Sequence, residues 1–131
     1  MEDNTKYNLF LDDFRMPKDA FAYMKLPQYI SKKWIVVRNY YAFITIIQNK
    51  GIPEILSLDH DLSFDHYNTE LNIPYDQYTE KTGYHCALWL INYCIDNNKK
   101  LPAEILIHSM NPAGSMNIKS LFESYYKSLK M

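Results

Sequence analysis

Acidic, basic and hydroxyl side chains with chemistry to offer are bunched in a few short stretches of this sequence. These are Asp12-Asp13-Phe14-Arg15, Asp59-His60-Asp61 and His108-Ser109-Met110-Asn111, with Arg38 standing apart. Carboxylates drawn into one pocket repel one another, and their pKa values rise unless something neutralises them. A hard divalent cation such as Mg²⁺ would do so, held by Asp12, Asp13, Asp59 and Asp61 and keeping waters or a substrate phosphate for its other positions. The alternative is neutralisation by Arg15, Arg38 and the neighbouring histidines. Zinc is disfavoured: His60, His66, His85 and His108 show no paired spacing of the HExxH kind, and the cysteines sit in apolar sequence.

The chain has 14 Lys plus Arg, and the only arginines are Arg15 and Arg38. Lysine suffices for solubility, whereas a guanidinium is a planar fork that grips a carboxylate or a phosphate at two points. Pairing with local aspartates and facing an anion are both open to these two residues. His60 and His108 titrate in the range useful to a general acid or base, or else they make structural hydrogen bonds to backbone or aspartate. Ser109 reads as a phosphate-binding hydroxyl rather than a nucleophile, since no Ser-His-Asp pattern surrounds it. The small residues from Asn111 to Asn117 lead into a helix. Gly114 and Ser115 there either leave backbone N–H groups for an anion, or Ser115 simply caps the helix. Gly83 is a turn residue or a point of close approach.

Four short apolar runs must position these groups: residues 7–11, 34–38, 54–58 and 104–108, each rich in β-branched or aromatic residues and apolar on both faces. That pattern predicts buried parallel strands. Helical stripes lie between and after them. Tyr40, Phe43, Ile44 and Ile47 form one, stopped by Gly51; Tyr84, Ala87, Leu88, Ile91 and Ile95 form another; Ile118, Leu121, Phe122, Tyr125 and Leu129 form the last. Pro17 and Pro27 leave room for only a short helix around residues 19–24 in the first crossover. Alternating strands and helices imply an α/β fold with right-handed crossovers and a small parallel sheet of order 2-1-3-4. Ligands of such sheets bind beyond the carboxyl ends of the strands, where the winding reverses. All the chemically capable stretches fall at those ends.

At 131 residues the chain is read as a single domain, with residues 63–81, polar and tyrosine-containing, as a loop insertion. Tyr67, Tyr75 and Tyr78 in that loop could stack a base or cover a substrate. A net charge of −1 argues against an extended nucleic-acid surface. No apolar run approaches the roughly 18 residues of a membrane span, and the polar start MEDNTKY is unlike a secretory leader. Cys86 and Cys94 lie about two helical turns apart, too far for a disulfide within a helix, and read as buried free thiols. A cytoplasmic protein with no membrane partner is expected.

LDD at residues 11–13, LD at 58–59, Gly83 and Ser109 resemble the response-regulator receiver domain. More closely, LDDFRMP, WIVVR, SLDHDL, TGYH and HSMNPAGSMNI are together similar to the cyclic-phosphate processing receiver-like family, over residues 9–118. The resemblance implies a receiver or flavodoxin-like three-layer sandwich, here without the usual fifth strand and its phosphoryl-gripping lysine, so ordinary phosphorelay signalling is not expected. Ser63 stands where the closer family has glycine, and His85 where it has aspartate.

The implied activity is opening of cyclic phosphates, on a small cyclic nucleotide or a 2′,3′-cyclic RNA end. Asp12, Asp13 and Asp59 would hold Mg²⁺; Arg15, Arg38, Ser109 and the helix start near Ser115 would grip phosphate oxygens; His108 or His60 would protonate the leaving oxygen. Asp59 as a covalent phosphoacceptor is a variant of the same scheme. The alternative is a non-catalytic module that sequesters a cyclic nucleotide or a protein partner.

Overall fold

A computed structural model describes residues 6–62 and 81–129 of the chain. In chain order the elements are β1 (Asn8–Leu11), α1 (Pro17–Met24), α2 (Gln28–Ser31), β2 (Ile35–Val37), α3 (Tyr40–Lys50), β3 (Ile55–Leu58), α4 (Gly83–Asp96), β4 (Glu104–Ile107) and α5 (Pro112–Leu129). The strands form one parallel sheet of order β2-β1-β3-β4, as the run pattern predicts. Among the described residues no helix is long and apolar enough to cross a membrane.

Strand register brings the polar strand ends together. Leu11 pairs with Val37 on one side and with Leu58 on the other, and Leu58 pairs with Ile107. All four strands therefore stop at one level. The next residue of each, Asp12, Arg38, Asp59 and His108, stands in a single row along the carboxyl edge, about 4.8 Å from its neighbour. Backbone bonds carry the ladder into that row: Asp12 N–H to Val37 O (3.1 Å), Asp59 N–H to Leu11 O (3.0 Å) and His108 N–H to Leu58 O (3.0 Å).

The period of two then decides which way the row faces. Leu9, Leu11, Leu56 and Leu58 point into the larger core, with Phe43, Ile47, Leu90, Ile118 and Phe122 of α3, α4 and α5. Phe10, Val36 and Leu106 point the other way, into a smaller core with Ala20 and Tyr29. Asp12, Arg38 and His108 follow those three residues by two positions, and Asp59 follows Ser57. The acidic row thus stands over the smaller core, beneath the loop that joins β1 to α1.

Three sequence expectations need correction. One-turn helix α2 was not anticipated: four residues after Pro27 are too few to show a period. The inner face of α4 is Cys86, Ala87, Leu90, Ile91 and Cys94, whereas Leu88 (39%) and Ile95 (55%) are exposed; Leu129, at the end of α5, is exposed too. The buried cysteines are both free thiols. Finally, α5 begins at Pro112, not near Ser115. The Asn111 side chain accepts from Gly114 N–H (2.9 Å) and caps the helix, with proline in the first position where its missing N–H does no harm.

His85 also finds its use here. Thr82 Oγ1 accepts from the N–H groups of Tyr84 and His85, and His85 Nδ1 accepts in return from Thr82 N–H (2.9 Å). The imidazole completes a capping box in place of the usual carboxylate.

Candidate functional site

Asp12 and Asp59 differ sharply in how they are satisfied. Asp12 Oδ1 accepts from the N–H groups of Phe14 (3.0 Å) and Arg15 (2.8 Å), a local turn that any aspartate at this position favours. Its Oδ2 lies 3.0 Å from His108 Nε2. Burial would raise this carboxyl, but the His108 bond and the two backbone N–H groups outweigh it and hold it at about 2. Asp59 Oδ1 accepts from His60 N–H (2.8 Å), while Asp59 Oδ2 is buried with no hydrogen-bond partner. Burial, then the charge on Asp12, push the Asp59 carboxyl up to about 7, against a partial pull from Ser109, His60 N–H and Arg15. Two carboxyls a few ångströms apart are therefore driven in opposite directions.

Asp12, Asp59 and His108 each place one ligand-capable atom within 4.8 Å of the others, and all three are buried. Asp13 and Asp61 stand outside that cluster. Arg15 closes it from above: its Nη1 lies 3.5 Å from Asp12 Oδ2 and 3.6 Å from Asp59 Oδ2. Its guanidinium also packs over the Phe14 ring at 4.6 Å, and Nη2 meets Met110 Sδ at 3.4 Å. Phe14 and Met110 are themselves exposed, so the buried acids sit beneath an apolar rim.

Arg38 does something else. Its Nη1 donates to Arg15 O (2.8 Å) and Asp12 O (3.2 Å), and its Nη2 meets Met16 Sδ (3.3 Å). It clamps the backbone of the β1–α1 loop and thereby fixes Arg15. His108 takes the structural one of its two expected uses. Its ring is fully buried and stacked on Phe10 (4.2 Å between centroids, 9° between planes). Nδ1 is bonded to Ser57 Oγ (2.7 Å) and Nε2 to Asp12, so neither nitrogen is placed to protonate a substrate.

The loops that follow β3 and β4 brace each other. His60 Nδ1 bonds Asp61 Oδ1 (2.8 Å), and Asn111 Nδ2 donates to Asp61 Oδ1 (3.2 Å) and Oδ2 (3.3 Å). Asn111 and Asp61 thus join two loops, and the Gly114 N–H expected for an anion is taken by Asn111 Oδ1. Ser115 lies inside the first turn of α5, its hydroxyl donating to Ser109 O (3.2 Å). Ser109 Oγ accepts from Asn111 N–H (3.1 Å), and its hydroxyl is near enough to the Asp59 carboxyl to lower it. Of the expected phosphate contacts, Arg15 and Ser109 are the two at the carboxylates. The tyrosines of the 63–81 loop lie outside the described residues.

Gly114 is required by packing: a Cβ there would meet the His60 ring at 2.4 Å. Gly114→Ala is expected to push the imidazole off Asp61 and lower stability by about 1–3 kcal/mol, read from the urea midpoint. An unchanged midpoint would show that the His60 ring is not held against α5.

Sequence reasoning missed Ser57 and Tyr29. A polar residue inside an otherwise apolar strand, two positions before Asp59, was a usable signal for Ser57; nothing pointed to Tyr29, whose helix was not foreseen.

No curated protein and no solved structure matches this chain. A family model does, and it spans nearly the whole length: the cyclic-phosphate processing receiver domain, over residues 7–124. That span takes in every strand of the sheet, the row of polar residues at its carboxyl edge and most of the helix capped by Asn111, and the chain is accordingly a member of the cyclic-phosphate processing receiver domain family.

Proposed function

We propose that this domain opens cyclic phosphate esters by hydrolysis, on a cyclic nucleotide or a 2′,3′-cyclic RNA end. The observation that carries the reading is Asp59 Oδ2: a buried carboxylate oxygen left without a hydrogen-bond partner, beside a second carboxylate and under a guanidinium. Buried polar atoms are rarely left so unless a ligand completes them. The same atom and Asp12 Oδ2 suit a hard divalent cation, which takes oxygen ligands and leaves positions for water and phosphate. Asp12 and Asp59 are the side chains that would hold Mg²⁺; when bound it supplies Lewis-acid polarisation of a phosphoryl oxygen.

The protein's own groups divide the remaining work. Arg15, fixed by the Arg38 clamp on its backbone, donates to non-bridging phosphate oxygens as a planar fork. Ser109 offers a hydroxyl beside the same point. Asp59 orients the attacking water, whose proton leaves as the new P–O bond forms. The ring P–O bond breaks, the proton passes to the departing ribose oxygen, and one water is consumed for each monoester made. His60, braced by Asp61, positions the loop that carries Asp59 and takes no proton in this scheme.

The direct test follows nucleoside 2′,3′-cyclic and 3′,5′-cyclic phosphates by phosphorus NMR, with Mg²⁺ and with chelator. Metal-dependent appearance of a monoester signal is expected. Stoichiometric retention of unopened ligand would identify a sequestering module instead, and neither outcome would leave the phosphate reading unsupported. Arg15→Lys keeps the charge but loses the fork. It is expected to raise KM about tenfold with a smaller change in kcat; an unaltered KM would remove Arg15 from the phosphate site.

A further inference from the structure

Behind the carboxylates runs a buried file of hydrogen bonds that takes no direct part in the proposed chemistry. Tyr29 Oη lies 2.7 Å from Ser57 Oγ, Ser57 Oγ lies 2.7 Å from His108 Nδ1, and His108 Nε2 lies 3.0 Å from Asp12 Oδ2. None of the four residues is more than 2% exposed. It joins α2, β3 and the ends of β4 and β1, through side chains that the strand period turns to the same face.

The direction of every bond in the file follows from its last member. An ionised carboxylate only accepts, so the hydrogen between His108 and Asp12 belongs to Nε2. The imidazole is enclosed by Phe10, stacked at 4.2 Å, and by the edge of Tyr29, a setting in which the neutral ring is favoured. A neutral ring protonated at Nε2 has a bare Nδ1, which accepts from the Ser57 hydroxyl. Ser57, having given its hydrogen, accepts from Tyr29. Each group makes the one bond its neighbour requires, and reversing any of them strands a buried lone pair against another.

We infer that Tyr29 and Ser57 are positioning residues, which hold the His108 ring with its Nε2–H on Asp12 and through it keep Asp12 Oδ2 turned toward Asp59 and Arg15. The geometry stands by itself, and its consequence for turnover rests on the proposed hydrolysis. Asp12 Oδ1 is already tied to the β1–α1 loop by two backbone N–H groups. The His108 bond supplies the second tether, and the carboxylate has one orientation. Remove the Ser57 donor and Nδ1 is left as a buried lone pair without a partner, and nothing holds the ring from that side. A ring free to tilt loosens its Nε2–H bond to Asp12 Oδ2, and the carboxylate loses its second tether.

The test uses the full chain, metal-free and labelled with ¹⁵N-histidine. Long-range proton–nitrogen correlations distinguish a protonated from a bare ring nitrogen. Wild type is expected to show His108 protonated at Nε2 and bare at Nδ1. Ser57→Ala is expected to keep the proton on Nε2 but to shift it upfield as its bond to Asp12 lengthens, and Ser57→Thr, which restores a hydroxyl, is expected to show the wild-type pattern. Tyr29→Phe removes the far end of the file without touching a strand and is expected to shift the signals the same way by less. In turnover of a nucleoside 2′,3′-cyclic phosphate, Ser57→Ala is expected to lower kcat about 10- to 100-fold, with recovery in Ser57→Thr.

A wild-type His108 protonated at Nδ1, or an Nε2 proton signal unmoved in both Ser57→Ala and Tyr29→Phe, overturns the inference. Should wild type show the expected tautomer and Ser57→Ala shift its Nε2 proton while wild type opens no cyclic phosphate, the positioning role stands and the hydrolytic reading falls.

Discussion

Asparagine in place of Asp59 is expected to abolish cyclic-phosphate opening, lowering kcat by about 10²- to 10⁴-fold, while making the metal-free protein more stable at alkaline pH. The first effect follows from loss of the buried carboxylate oxygen that would hold the metal and orient the water. The second follows from its burial. In the fold, burial and the Asp12 charge raise the Asp59 carboxyl from an ordinary 3.8 to about 7, so the native state keeps a proton that the unfolded chain releases. Stability referable to Asp59 is therefore complete below pH 3.8, declines as pH rises through about 7, and is level above that.

Asparagine does not ionise, so the variant lacks this decline. Its melting temperature should exceed that of wild type by roughly 5 °C or more at pH 8 and match it near pH 4, both in chelator. Asp12 runs the other way. Its burial is outweighed by His108 and the two backbone N–H groups, so its contribution is present above pH 3.8 and lost as pH falls toward about 2. Parallel wild-type and Asp59→Asn stability curves from pH 4 to 8 would mean that the native state does not hold a proton on Asp59. Full activity in the variant would remove it from the chemistry.

Gly83→Ala is expected to be the most damaging single methyl that can be added to the described fold. A Cβ at Gly83 would lie 1.8 Å from Asp59 O, 2.8 Å from Asp59 C and 3.0 Å from His60 Cα. All three are backbone atoms, and no rotamer change relieves them. Gly83 N–H also donates to His60 O (2.8 Å), so the first residue of α4 is bonded to the chain that leaves β3 and cannot back away cheaply. Either α4 lifts off the sheet, exposing Cys86, Leu90 and their neighbours, or the turn carrying Asp59 deforms.

A loss of more than about 4 kcal/mol is expected, a large share of the total stability of a domain this size. It should appear in circular dichroism as a protein largely unfolded at 25 °C, or as one that folds with its melting temperature lowered by tens of degrees. Gly114→Ala meets only a side-chain ring, so it should be the milder of the two. The reverse ranking, or a Gly83→Ala protein as stable as wild type, would mean that helix and strand end are not in contact.

The parts of the site that could be read from sequence are those that the sheet positions. Each apolar run breaks to a polar residue at its carboxyl end, and once the runs are paired in parallel the breaks fall level. Asp12, Asp59 and His108 follow from that arithmetic alone. What loops do with side chains was not readable in the same way. Arg38 ends a strand as expected, yet it bonds backbone carbonyls of the neighbouring loop, because that loop folds back over the end of β2. Asn111 and Gly114 looked like free hydrogen-bonding groups until the cap gave each a partner. The start of α5 was misplaced because Ser115 and Asn111 are both good caps, and the choice between them was settled by Pro112, which suits a first helical position and little else. By sequence Gly83 suits either a turn or a point of close approach, and the packed distance to Asp59 decides for the second.

The strand order carries a consequence for motion. β1 and β3 lie in the middle of the sheet, each hydrogen-bonded on both flanks, and they deliver the two acids. Amide protons in such interior strands exchange with solvent only when the whole domain opens, whereas edge strands and connecting segments breathe far more often. The separation between the two acids is therefore pinned to the slowest-opening part of the molecule. Among the described residues, what adjusts when a guest arrives or departs is to be sought in the guanidinium-bearing segment after β1 and the asparagine-bearing segment after β4.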